Sequence, residues 1–338
     1  MTGRTLRVLG IGAGYFSQFH YDSWKRLGRA ELAGICDLDR RRAEAIGGAP
    51  VFTDVAEALA SSDADLVDVI TPPAARLAVA EQVAAAGLPM IVQKPLADDL
   101  AGARAVAALA KRYGITMLVH ENFRFQPWYR EARRLLDRGL LGDPVSIVFR
   151  MRPGDGRGPD AYMARQPYFQ QMTRFLIHET AIHFIDTLRY LMGEVGEVFA
   201  DLRRLNPVIA GEDAGIVLFR FRGGGRGTYD GNRLGEFEAA NPRLTMGEMW
   251  LEGSDARLRL AGDGSLWLKP NGQPEREHVY RWSDHGFGGD CVHAFQSHAI
   301  AHFLDGAAAE TDVFAYLRNV EIEEAVYRAA GEGRWIAV

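Results

Sequence analysis

Cysteine is scarce in this chain: Cys36 and Cys291 are the only two in 338 residues. They are too few for a disulfide framework and lack the spacing of a metal cluster, so a reducing compartment is expected and no metal site. Long apolar runs are missing too, none reaching the roughly 18 residues that a membrane span needs. Met1 runs within a few positions into the strand-like stretch Leu6-Arg7-Val8-Leu9-Gly10-Ile11, with no pattern of a cleavable leader. The expectation is a cytoplasmic protein without a membrane partner. A surplus of one charge is also lacking: the net charge is −5, from 39 basic and 44 acidic residues. Neither a Lys/Arg cluster nor an interleaved aromatic and basic stripe is present, which argues against nucleic acid as a partner. Lysine itself is nearly absent, with Lys25, Lys94, Lys111 and Lys269 the only four.

What remains is the composition of an ordinary globular protein, 47% hydrophobic and 25% charged. A chain of 338 residues exceeds the usual size of one core, so two domains are expected. Up to residue 122 short apolar runs (6–11, 32–36, 66–70, 90–92 and 116–119) alternate with helical patterns (about 15–28, 39–46, 54–60, 74–86 and 98–112). That alternation is the mark of βαβ units and a parallel sheet. Asp54 and Asp98 stand where they can cap helices. Beyond Asn122 the rhythm changes. A helix over about 126–138 precedes a strand over 145–151, then a polar Gly/Pro-rich segment, 152–171, with few apolar residues. It is long enough for a functional loop. A strong helix follows over about 175–192, and strand-like runs at 215–222, 249–252, 257–260 and 266–269 suggest a mostly antiparallel sheet. Helical stretches over about 290–304 and 312–331 close the chain.

The segment Gly12-Ala13-Gly14-Tyr15-Phe16-Ser17 follows the first strand directly and opens the first helix. In that context Gly12 permits the tight turn and Gly14 lets the backbone approach a pyrophosphate, which the free N–H groups of the helix stabilise. Asp37 ends the second strand, where a carboxylate accepts hydrogen bonds from both ribose hydroxyls and favours NAD; Arg40 to Arg42 nearby keep NADP open. Residues 1–122 are therefore expected to form a dinucleotide-binding Rossmann domain, a doubly wound parallel sheet. Residues 123–338 are expected to form an α+β domain with a mostly antiparallel open sheet. Thr71-Pro72-Pro73 ends a further strand at the ligand-facing edge, although Pro73 equally suits a helix start.

Gln93-Lys94-Pro95 ends the strand over 90–92. Where arginine is the default cation, a lysine at that edge suits hydrogen bonding to a reacting hydroxyl, and a solvated loop lysine is the plain alternative. In His178-Glu179-Thr180-Ala181-Ile182-His183-Phe184-Ile185-Asp186, helical spacing puts Glu179, His183 and Asp186 on one face and Ile177, Ala181, Phe184 and Leu188 on another. Glu179 and His183 stand at i and i+4, so the carboxylate can orient the imidazole and stabilise its protonated form. A surface ion pair is the competing reading. His178 and His183 are five apart and diverge, which argues against a shared metal.

Taken in order, Gly12-x-Gly14-x-x-Ser17-x-x-His20, Thr71-Pro72-Pro73, Lys94-Pro95 and Glu179-x-Ala181-x-His183-x-x-Asp186 resemble the Gfo/Idh/MocA family of sugar and polyol dehydrogenases over nearly the whole chain. The resemblance implies catalytic roles for Lys94, His183 and Glu179. It implies a cofactor site of Gly12, Gly14, Tyr15, Phe16, Asp37, Thr71, Pro72, Arg76, Gln93, Lys94 and Asn122 holding NAD. Substrate contacts are expected from Lys94, Asn122, Arg152, Asp155, Tyr162, Arg165, His178 and His183. Asp160 and Gln166 on the same loop are also able to pair with hydroxyls. Several positions depart from the family pattern: Gln93 replaces a glutamate, Glu179 an aspartate, Ala181 a glycine and Arg76 a frequent histidine. The 93–95, 122–127 and 152–156 segments are similar to those of sugar-lactol dehydrogenases within the family. The expected reaction is oxidation of a sugar or polyol hydroxyl by hydride transfer to nicotinamide, in a homodimer or homotetramer formed through the second domain. The alternatives are a glycoside-cleaving or epimerising enzyme with a transient redox cycle, and a non-catalytic NAD- and sugar-binding regulator.

Overall fold

The computed structural model describes residues 3–338, and the chain divides into two compact units. The first unit contains six strands: β1 (Leu6–Ile11), β2 (Ala30–Cys36), β3 (Val51–Phe52), β4 (Leu66–Val69), β5 (Met90–Gln93) and β6 (Met117–His120). All pair in parallel, in the order β3-β2-β1-β4-β5-β6. Helices α1 (Ser17–Arg26), α2 (Arg40–Ile46), α3 (Val55–Ser61), α4 (Pro73–Ala85) and α5 (Leu100–Tyr113) connect them. Strands β4, β5 and β6 are buried at every position and are apolar except at Asp68, Gln93 and His120, which is why they stand out in the sequence. The strand order reverses between β1 and β4, the switch point beside which doubly wound sheets open a ligand crevice. Asp54 caps α3 as expected, accepting from the Glu57 N–H at 2.8 Å, but α5 is capped by Asp99, which accepts from Gly102 at 2.7 Å, in place of Asp98.

The first unit also includes Val292–Val320, a stretch that composition and order alone place in the second domain. The reason lies at the edge of the sheet. Leu118 of β6 bridges to Asp312, and the Val119 N–H donates to the Thr311 carbonyl at 2.8 Å. Phe295 packs on His120 with ring centroids 4.4 Å apart, and Arg29 forks onto Asp305 at 2.8 and 2.9 Å. The late segment thus covers an edge that would otherwise offer unpaired backbone groups.

The second unit comprises Phe123–Cys291 and Glu321–Val338. It contains α6 (Pro127–Asp137), β7 (Pro144–Met151), α7 (Ile182–Met192), β8 (Val195–Arg203), β9 (Ala214–Phe221), β10 (Arg226–Asn232), β11 (Gly247–Gly253), β12 (Ala256–Leu260), β13 (Leu266–Pro270), β14 (Arg276–His278) and β15 (Ile336–Ala337). The helices α8 (Cys291–Asp305) and α9 (Val313–Glu332) complete the elements. Nine strands form one sheet, β14-β13-β12-β11-β7-β10-β9-β8-β15, in which only β7 and β10 pair in parallel. The mostly antiparallel sheet is therefore as expected. Its core joins Trp128, Leu135, Phe184 and Leu188 from the helices to Phe149, Leu251 and Phe219 from the strands.

Three further expectations need correction. The helix predicted over 175–192 opens as a π-helical turn, Leu176–Ala181, before α7 begins. Glu212 meets the donors that open this turn: its Oε1 accepts from the N–H groups of Phe175 and Ile177 at 3.1 and 3.0 Å, and its carbonyl accepts from Leu176 at 2.9 Å. Of the predicted polar face, His183 and Asp186 are buried, at 5% and 1% exposure, and Glu179 is half-buried. The 152–171 segment, expected to lie outside any core, builds a small one: Ala161, Tyr162 and Phe169 pack with Phe175 and Ile209. Asn206 ties the loop down by donating to the carbonyls of Gly156 and Gly158 at 2.7 and 2.9 Å.

Candidate active site

In the first unit the residues expected at the cofactor site gather at the carboxyl ends of the parallel strands. Gly12 follows β1, Asp37 follows β2, Thr71 lies just beyond β4, Gln93 ends β5 and Asn122 lies just beyond β6. Gly12 has a φ of +114°, and a Cβ there would sit 2.9 Å from the Ile70 carbonyl group, so both conformation and close approach demand glycine. Gly14 differs, since a Cβ there would meet nothing within 4 Å. It borders open space ahead of α1, whose N-cap residue, Phe16, supplies no side-chain hydrogen bond to the first turn. Asp37 pins the turn: its two oxygens accept from the N–H groups of Ala13 at 2.6 Å and Asp39 at 2.8 Å. Each oxygen keeps a further lone pair for a hydroxyl. Thr71 Oγ1 is buried with no partner among the described residues, a donor and acceptor left over at the crevice. An open space at Gly14, an α1 start without a side-chain cap, a carboxylate after β2 and an orphan hydroxyl after β4 together fit a dinucleotide.

The remaining cofactor-site expectations divide. Tyr15 is exposed, Phe16 half-buried and Pro72 exposed, while Pro73 occupies the first turn of α4, as the plain reading of that proline has it. Arg76 is buried and donates through Nη2 to the Thr71 carbonyl, so it braces the turn after β4. Gln93 is spent within the protein. Its Oε1 accepts from the Lys94 N–H at 2.7 Å, and its Nε2 lies 3.0 Å from His20 Nε2. His20 Nδ1 in turn meets Asp68 Oδ2 at 2.8 Å, an oxygen that also accepts from Trp24 Nε1 at 2.8 Å. Lys94 itself is half-buried.

In the second unit His183 stands in the first turn of α7, stacked on Phe123 with ring centroids 3.8 Å apart and planes within 6°. One turn on, Asp186 is held by a bidentate pair from Arg124, with Nε and Nη2 each 2.6 Å from a carboxylate oxygen. Glu179, on the π-helical turn, accepts from Arg233 Nη2 at 3.0 Å. The same guanidinium reaches Thr180 Oγ1 through Nη2 and Asp155 through Nη1, at 3.0 Å to Oδ2. Arg233 is 2% exposed and lies over the Phe175 ring at 4.8 Å. Burial disfavours its charge, but Asp155 and Glu179 on either side hold it firmly protonated.

The expected substrate residues on the loop join this hub unevenly. The Tyr162 hydroxyl donates to Asp155 Oδ1 at 3.3 Å, and burial raises the phenol well above its usual range. Arg165 Nη2 approaches Asp155 Oδ2 at 3.4 Å. Arg152 lies apart, paired with the carboxylate and carbonyl of Asp230. Gln166 turns to the Tyr168 hydroxyl at 3.0 Å. His178 is buried against Glu323, with Nδ1 2.7 Å from Oε1. Arg233 was not among the expected site residues. Nothing near it in sequence marks it, and its carboxylate partners lie 54 and 78 positions away.

Comparison with known proteins fits this geometry. Residues 6–121 match the family model described as an oxidoreductase family with an NAD-binding Rossmann fold, and residues 129–259 match the GFO/IDH/MocA C-terminal domain. The protein is an NAD-dependent oxidoreductase acting on CH–OH groups. Within that class, the chain belongs to the Gfo/Idh/MocA family. It is 30% identical to a D-apiose dehydrogenase of Paraburkholderia graminis, across 96% of this chain and 88% of the relative. A D-apiose dehydrogenase of Rhizobium rhizogenes is 28% identical across 97% of this chain and 96% of its own length. Among solved structures, an oxidoreductase from Agrobacterium radiobacter in complex with NAD+, L-tartaric acid and magnesium superposes with a TM-score of 0.87 at 28% identity, covering 98% of both chains. Among the described residues no helix is long and apolar enough to cross a membrane.

Proposed function

We propose that this chain oxidises a hydroxyl of a sugar, with the lactol carbon of D-apiose as the candidate, to give the lactone. The observation that carries the reading is the near full-length similarity to two proteins named D-apiose dehydrogenase. NAD, when bound, accepts the hydride released from the carbinol carbon. His183 takes the hydroxyl proton as the C–O bond becomes a carbonyl, and its stack on Phe123 fixes the ring plane for that transfer. The Lys94 ammonium stabilises the developing alkoxide. Glu179, anchored by Arg233, favours the protonated imidazole, and Asn122 bonds the nicotinamide or a sugar hydroxyl. His178 and the loop residues Arg152, Asp155, Tyr162 and Arg165 shape the pocket for the remaining hydroxyls. Two buried free cysteines suit a reducing cytoplasm, and a homodimer or homotetramer is proposed on the resemblance to the family.

The test is to give the purified protein NAD with a panel of pentoses and branched sugars and follow the absorbance of reduced nicotinamide. Turnover of roughly 1 to 10³ per second is expected, highest with D-apiose. Measurable NAD binding with no turnover on any sugar overturns the reading. A product carrying solvent deuterium without net cofactor reduction points instead to a transient redox cycle.

A further inference from the structure

We infer that His20, held as its Nδ1–H tautomer between Asp68 and Gln93, is a positioning residue that fixes the backbone of Lys94. The backbone N–H of Lys94 can only donate. The Gln93 atom 2.7 Å away must therefore be the amide oxygen, which settles the orientation of the amide. The amide nitrogen then faces His20 Nε2 at 3.0 Å with a hydrogen to give, so that ring nitrogen is the acceptor and the ring proton sits on Nδ1. Nδ1 accordingly donates to Asp68 Oδ2 at 2.8 Å, beside the Trp24 indole N–H. Each member of the chain has one workable orientation.

The network is also shut away from water. His20, Asp68 and Trp24 are fully buried and Gln93 is 8% exposed. The His120 ring stacks on His20 at 3.9 Å between centroids, and Phe16 stands edge-on at 5.7 Å, so the imidazole cannot turn over without disturbing both. Buried hydrogen bonds of this kind fix geometry because a broken one finds no solvent substitute. The chain of contacts ties α1 and β4 to the end of β5, where Lys94 leaves the sheet. A displacement of about 1 Å at a reacting group costs on the order of 10²-fold in rate. The uncharged amide matters as well. A carboxylate at position 93 has no hydrogen to offer, so keeping the contact would require a second proton on His20.

This inference rests on the reading of Lys94 as the group that stabilises the alkoxide, but half of its test does not. Histidine ¹⁵N spectra of the NAD-bound enzyme, with the His20 signals identified by their loss in His20→Asn, report both ring nitrogens. The expected result is an unprotonated Nε2 and a protonated Nδ1 in the natural chain, and protonation of both in Gln93→Glu. Gln93→Met, which removes both amide contacts, is expected to lower kcat by roughly 10- to 10²-fold at an unchanged KM for NAD, with a lower Tm because the buried His20 Nε2 loses its partner. Gln93→Glu, which keeps an oxygen on the Lys94 N–H, recovers part of that loss. A protonated Nε2 in the natural chain overturns the tautomer assignment whether or not any sugar is turned over. A Gln93→Met enzyme with the natural kcat overturns the positioning role.

Discussion

Arg233 and Glu179 meet at 3.0 Å, Nη2 to Oε2, at a point where the arginine is 2% exposed and its other arm holds Asp155. One cation therefore joins the π-helical turn before His183 to the loop that carries the expected substrate residues. Replacing it by methionine leaves two largely buried carboxylates without their shared partner. A loss of roughly 3–5 kcal/mol is expected from urea unfolding, toward the low end because both carboxylates keep some exposure. Arg233→Lys keeps the charge but not the fork, so stability should suffer less while turnover falls about tenfold. Natural turnover in Arg233→Lys contradicts the anchoring of Glu179.

His183→Ala should lower kcat by roughly 10²- to 10⁴-fold and leave the Kd for NAD unchanged, since the imidazole acts on the hydroxyl proton. Phe123→Leu keeps a hydrophobic floor but removes the stacked ring 3.8 Å from His183, and a smaller fall in kcat is expected. An unchanged rate in His183→Ala moves the proton-accepting role elsewhere.

Two glycines two positions apart should behave oppositely. Gly12→Ala forces a side chain into a φ of +114° and to within 2.9 Å of the Ile70 carbonyl group, so Tm should drop. Gly14→Ala meets only open space, so Tm should hold while the Kd for NAD rises as the methyl group crowds the pyrophosphate. Calorimetry and NAD titration on both variants separate a glycine kept for the turn from one kept for the ligand.

Burial pushes the Cys36 thiol up to about 11 from the usual 9.0. The folded chain therefore keeps a proton that the unfolded chain releases between those values. Stability should fall as the pH rises through that window and show no Cys36 contribution below it. Cys36→Ser should flatten the slope. Iodoacetamide at about pH 8 should leave Cys36 unlabelled until the protein is unfolded.

The legible parts of the fold were those whose determinants are local. Strands buried on both faces appear as mostly apolar runs, and the Gly12 turn, the Asp54 cap and the helix start at Pro73 each act within a few residues. β10 is hidden because its inward positions include Gly227 and Gly231. A Cβ at either would lie 2.9 or 2.8 Å from the rings of Phe221 and Tyr229, which fill that space in its stead. The first donors of the π-helical turn are met by Glu212, whose carboxylate lies 35 and 37 positions away in the chain. Catalytic candidates such as His183 and Lys94 could be picked out by residue type and spacing. The groups that hold their neighbours, Arg233 and Asp68, belong to contacts that form only when distant strands and helices pack.

The pairing of Leu118 in β6 with Asp312 sets an order of events during synthesis. The first sheet can assemble from its own strands as soon as they emerge, but its last edge stays open until nearly two hundred further residues have left the ribosome. At about 5 to 20 residues per second, that leaves the edge bare for roughly ten seconds or more in every newly made chain.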